Sequence, residues 1–115
     1  MKRLITTLCL TIAVLLGSVG VSTGADLLKG AFAYDSGDFA TALREFQPLA
    51  EQGLASAQYA LGVMYHQGQG VPQDYKTAVK WYRLSAEQGY ASAQYNLGVM
   101  YGNGQGVLQD YVRAH

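Results

Sequence analysis

Three kinds of residue in this 115-residue chain could do chemistry: glycine-rich loops, scattered histidines and aspartates, and nine tyrosines. The loops hold Gly68-x-Gly70 and Gly102-x-Gly104-x-Gly106, spacings that resemble pieces of phosphate-binding fingerprints. Such a fingerprint works only where a strand enters the loop within a βαβ unit. Here the flanks have helical periodicity and the loop recurs in register. Gly68, Gly70, Gly104 and Gly106 therefore read as structural turns, where a residue without Cβ takes positive φ. His66 has no second His, Cys or acid pair at ligand spacing, and His115 is the last residue, so no metal site is expected. Neither histidine has a serine or acid partner placed to build a triad. Asp74 and Asp110 occupy one station of a repeat and read as helix caps, not general acids. The expectation is a non-enzyme with no catalytic residues, no metal and no cofactor.

The elements that position these residues are repeated ones. Ala-Ser-Ala-Gln-Tyr at residues 55–59 returns at 91–95, and Leu-Gly-Val-Met-Tyr at 61–65 returns at 97–101. Gly68, Gly70, Val71, Gln73, Asp74, Tyr75 and Ala78 return as Gly104, Gly106, Val107, Gln109, Asp110, Tyr111 and Ala114. Self-similarity at a fixed period of this size marks a repeat architecture. Residues 38–53 also match 74–89 at the same offset, with Phe46 answering Tyr82 and Gly53 answering Gly89.

Each segment reads as a helix. Leu27, Leu28, Ala31 and Tyr34 suggest a short amphipathic helix that stops at turn formers around Gly37. Asp38 caps the next, with Ala42, Phe46 and Ala50 as its seam; Pro48 predicts a kink or a loosened last turn. The third helix has a core stripe of Ala57, Leu61, Met64 and Tyr65, and a second stripe of Ser56, Tyr59, Val63 and His66. Gly62 is unfavourable mid-helix, and its recurrence as Gly98 predicts a close helix approach. The fourth helix has Ala78, Tyr82 and Ala86 as its seam. Core packing is the expectation for Tyr34, Phe46, Tyr65, Tyr82 and Tyr101. Trp81 aligns with Glu45, so it either bridges repeats or marks an exposed contact. Tyr59 and Tyr95 lie on the non-core stripe and have two readings: packing between repeats, or touching a partner.

Residues 1–25 read as a cleavable secretory signal peptide: Lys2 and Arg3, then an apolar stretch, then small residues. The alternative is an uncleaved N-terminal anchor in the inner membrane, the one way this chain would touch a membrane. The expected location is periplasmic or extracellular. Cys9, the single cysteine, falls in this segment, which removes disulfide, zinc-thiolate and thiol chemistry from the remainder. The remainder carries six basic and eight acidic residues. It has no basic stripe, so nucleic acid is not an expected partner. The final helix stops five residues in, and no polar capping repeat follows, so the sequence reads as C-terminally incomplete.

The pattern Leu61-Gly62-x-x-Tyr65-x-x-Gly68-x-Gly70-Val71-x-x-Asp74-x-x-x-Ala78-x-x-Trp81-Tyr82-x-x-x-Ala86-x-x-Gly89 resembles the Sel-1-like repeat, a relative of the tetratricopeptide repeat. The resemblance implies an all-α, right-handed α/α solenoid of antiparallel helix pairs. It divides the chain into a short-turn tetratricopeptide-like unit at 26–53, a full repeat at 54–89 and a partial repeat at 90–115. Leu54 and Tyr90 stand where the family often has a capping acid, and Ser85 replaces a small apolar residue. The family's first helices line a concave groove, which carried over position by position places Leu28, Phe32, Tyr59, Val63, His66, Tyr95 and Val99 there. The resemblance implies a protein–protein adaptor or scaffold of the cell envelope that binds a protein or extended peptide. The alternative is an accessory regulator that binds glycan or peptidoglycan by tyrosine stacking.

Overall fold

The computed structural model describes residues 25–107, which form five helices: α1 (Leu27–Asp35), α2 (Phe39–Glu51), α3 (Ala55–Gln67), α4 (Tyr75–Glu87) and α5 (Ala91–Asn103). No strand occurs among the described residues. Each helix packs on its neighbours in the chain. The connections are three residues long except the seven between α3 and α4, and connections this short set consecutive helices antiparallel. The result is an all-α solenoid of helix pairs. All of the proposed leader at 1–25 except Ala25, with Cys9 in it, lies outside the described residues, as do Asp110, the helix expected to follow it and His115.

Local chemistry explains where the helices begin. Asp26 accepts from the backbone N–H of Leu28 at 2.9 Å and of Lys29 at 3.2 Å. Asp38 accepts from Thr41 N–H at 3.2 Å, and Asp74 from Thr77 N–H at 3.2 Å and Thr77 Oγ1 at 2.8 Å. Hydrogen bonds from Thr41 and Thr77, their side chains foremost, hold both carboxyls below the usual range. Helices α3 and α5 begin on Leu54 and Tyr90 without a side-chain cap. Their first turns are tied down differently. Gln58 Nε2 donates to Ala50 O at 3.2 Å, and its repeat counterpart Gln94 donates to Ala86 O at 3.1 Å. Each glutamine thus sews an uncapped first turn to the end of the preceding helix. Helix α2 continues through Pro48 to Glu51, its end closed by Gln52 N–H on Pro48 O at 3.0 Å and Gly53 N–H on Ala50 O at 3.0 Å.

The core falls into two clusters. Ala42, Phe46, Ala50, Ala57, Leu61 and Met64 head the first, and Ala78, Tyr82, Ala93 and Met100 the second. Trp81 belongs to the first cluster and is 8% exposed, so it is a core residue. Its counterpart Glu45 is equally buried, and its carboxylate is satisfied by Asp26 N–H at 2.9 Å and by Lys29 Nζ at 3.6 Å. The inward face of α1 departs from the expected stripe. It is Gly30 and Ala33 that are buried; Leu27 and Leu28 are exposed, and Ala31 and Tyr34 only half-buried. The cause is proximity: a Cβ at Gly30 would stand 2.7 Å from Phe46 Cε1, so only the smallest residue fits there. Gly62 meets Tyr82 in the same way, with 2.5 Å to Tyr82 Cε1. Two loop glycines, both with positive φ, lie across the starts of second helices: Gly70 over Phe39 and Gly106 over Tyr75. Ser85 is buried and donates to Ala55 O at 2.8 Å, so its hydroxyl adds a bond between α3 and α4 within one repeat.

Candidate functional site: the face of the first helices

The non-core stripe of α3 is set by helical spacing, with Tyr59, Val63 and His66 at i, i+4 and i+7. All three are half-buried. Their counterparts on α5 are more open: Tyr95 is 73% exposed and Val99 39%. Tyr59 packs against Tyr82 and Tyr90, with ring centroids 5.9 Å and 5.2 Å away. Tyr95 presents its ring to solvent.

Between α1 and α3 lies an apolar depression of about 260 Å³. Helix α1 contributes Ala31, Tyr34 and Asp35; Phe46 of α2 is also part of its wall. Helix α3 contributes Tyr59, Ala60 and Val63. Leu28 and Phe32 do not line it; they stand 63% and 66% exposed elsewhere on α1. Register explains the difference. Gly30 and Gly62 receive the equivalent aromatics Phe46 and Tyr82, so α1 maps onto α3 with Gly30 on Gly62. On that register Leu27, Ala31 and Tyr34 answer Tyr59, Val63 and His66. Aligning Tyr34 with Tyr65, as the sequence invites, displaces the stripe by one residue.

One repeat further on, the same station is filled by polar contacts. Asn96 Nδ2 donates to the Tyr82 hydroxyl at 3.3 Å, and His66 Nδ1 lies 3.4 Å from it. The hydroxyl has one proton and two lone pairs, so it accepts from Asn96 and can donate to neutral His66. The His66 ring also sits edge-on to Tyr75 and Tyr82, at 5.4 Å and 6.0 Å. Tyr82 is 1% exposed, and burial pushes its phenol up to about 12. Tyr34 instead turns its hydroxyl to Gln69 Oε1, donating at 2.8 Å.

This arrangement is suited to contact. Among the described residues no three His, Cys, Asp or Glu side chains converge as a metal site, and no helix is long and apolar enough to cross a membrane. Asp74 sits at the start of α4 and serves as its cap; Gly68 and Gly104 close α3 and α5 in the left-handed conformation. The sequence did not mark Ala31, Tyr34, Asp35, Phe46 and Ala60 as lining the depression, or Asn96 as reaching the Tyr82 hydroxyl at the next station. For Ala60 and Asn96 a signal was present, since they are one of the few mismatches between two otherwise matching helices.

The model of the Sel1 repeat matches residues 55–90 and 91–115. No curated protein matches the chain significantly. Among solved structures, a Sel1 repeat protein from Oxalobacter formigenes is 34% identical with a TM-score of 0.74, covering 77% of this chain and 37% of its own. A protective antigen present in uropathogenic Escherichia coli strains, displaying an SLR fold, is 49% identical with a TM-score of 0.65. That match covers 66% of this chain and 16% of the antigen, so the chain spans a minor part of either structure.

Proposed function

The chain belongs to the Sel1-repeat family, and we propose that it is a non-enzymatic adaptor or scaffold of the cell envelope. Sel1-repeat folds generally serve as protein–protein interaction scaffolds, typically without catalysis. The finer reading assigns the binding surface to the first-helix face. The observation that carries it is the apolar depression on that face, lined by Tyr34, Tyr59, Ala60 and Val63, with Tyr95 on the same stripe one repeat on. A tyrosine offers a large contact area with a polar tip and little side-chain entropy to lose, which suits a peptide or protein surface. Affinity comes from apolar contacts and specificity from the polar rim. Export rests on the leader read in residues 1–25, and the description of one similar protein as a protective antigen agrees with it. The division into units at 26–53, 54–89 and 90–115 belongs to the same proposal.

Affinity capture from an envelope extract tests the reading. Tyr95→Ala/Val99→Ser should lose the protein captured by the parent chain, while Leu84→Ser, altered at an exposed position of α4, should keep it. Retention by the Tyr95 variant would overturn the groove assignment. Loss of glycan fragments alone would replace the protein partner with a glycan.

A further inference from the structure

The apolar depression between α1 and α3 is a local departure from the repeat, and its origin says what it accepts. With Gly30 on Gly62 and the 36-residue offset elsewhere, each wall residue has a counterpart one repeat on. Ala31 answers Val63, Phe46 answers Tyr82, and Ala60 answers Asn96. All three residues at the depression are smaller or less polar than their counterparts. In the second station the Tyr82 hydroxyl and the Asn96 amide meet and take up the space. In the first, Phe46 and Ala60 carry neither the hydroxyl nor the amide of their counterparts, and a volume of about 260 Å³ stays open.

That volume exceeds the roughly 150 Å³ of an apolar cavity that binds benzene, and falls short of the roughly 300 Å³ at which small-molecule pockets begin. It suits one aliphatic or aromatic side chain. The rim adds a charge. Asp35 lines the depression, is exposed, and has no cation paired with it among the described residues. It is also the last residue of α1, where the helix dipole already presents its negative end. A carboxylate there is uncompensated within the described fold and complementary to a cation from outside.

We propose that this depression is an anchor pocket for an apolar side chain followed by a basic residue in an extended partner segment. The proposal rests on reading the first-helix face as a binding groove. Adjacent residues of an extended chain project to opposite sides, so the basic neighbour of a seated apolar side chain starts away from the surface, and its long flexible stem brings the charge back over the rim to Asp35.

The experiment is a titration of isotopically labelled protein with N-acetyl-Leu-Arg-amide, followed through the methyl resonances of Ala60 and Val63. These resonances should shift and saturate. N-acetyl-Ala-Arg-amide should leave them unmoved, and N-acetyl-Leu-Glu-amide should bind at least threefold more weakly. Asp35→Asn should bring Leu-Arg and Leu-Glu to the same affinity. Filling the pocket with the repeat's own residues, Ala31→Val with Ala60→Asn, should abolish the shifts while leaving the helical circular dichroism intact. Equal affinity for Leu-Arg and Leu-Glu in the parent chain would overturn the proposal, as would unchanged binding after Ala31→Val/Ala60→Asn. The two readings separate. A captured protein lost with Tyr95→Ala but indifferent to pocket filling refutes the anchor and keeps the groove. Leu-Arg binding in the pocket, with capture indifferent to Tyr95→Ala, refutes the groove assignment and keeps the pocket.

Discussion

Replacing Gly62 by alanine sets two effects against each other on one atom. On an exposed helix the change would stabilise by about 1 kcal/mol, because glycine is that much poorer than alanine in a helix interior. At Gly62 the added methyl would stand 2.5 Å from Tyr82 Cε1 and 3.1 Å from Cγ, well inside van der Waals contact. The ring cannot swing away: Tyr82 is 1% exposed and its hydroxyl is held by Asn96. Overpacking of this kind costs about 1–3 kcal/mol. Because the clash involves a held ring and not a flexible chain end, the upper part of that range applies. The expected net effect is a destabilisation of about 1–2 kcal/mol. For a domain of this size that lowers Tm by roughly 5–15 °C, read by circular dichroism at the helical band. Tyr82→Leu in the same background should relieve the clash, so the double variant should be more stable than the sum of the singles by about 1 kcal/mol or more. A Gly62→Ala protein that melts above the parent would refute the close approach.

Two further perturbations probe buried groups. Glu45→Ala removes the acceptor of Asp26 N–H and the partner of Lys29, and should destabilise by about 1–3 kcal/mol in urea unfolding; Glu45→Gln, which keeps an acceptor, should lose less. Tyr82 gives an alkaline signature: its phenol is raised to about 12 in the folded chain against about 10 unfolded, so its contribution is complete below about pH 10 and declines as pH rises from 10 to 12. At pH 11 the parent should have lost about 1.4 kcal/mol more than Tyr82→Phe relative to pH 9.

Most of the architecture was legible because repetition and caps are local signals. The 36-residue echo announced the repeat, Asp38 and Asp74 announced helix starts, and Gly62 announced a close approach that the Tyr82 ring makes explicit. What the sequence misplaced was the face of α1. Leu27 and Leu28 look like a core stripe to any hydrophobicity argument, yet Gly30 and Ala33 point inward because Phe46 leaves room for nothing larger. The shorter turn after α1 removed the register mark, and alignment by the nearest tyrosine paired Leu28 and Phe32 with Tyr59 and Val63, where the glycine register pairs Leu27 and Ala31. Trp81 and Glu45 were opaque for another reason. Their burial depends on contacts between helices, and a buried carboxylate is legible only once Asp26 N–H and Lys29 are seen beside it.

On the proposed reading, partners meet the first helices and not the second. A photo-reactive phenylalanine analogue at position 95, compared with one at position 84, tests it directly in envelope preparations. A protein adduct is expected from position 95, competed away by unlabelled parent chain, and none from position 84. An adduct from position 84 with none from position 95 would contradict it.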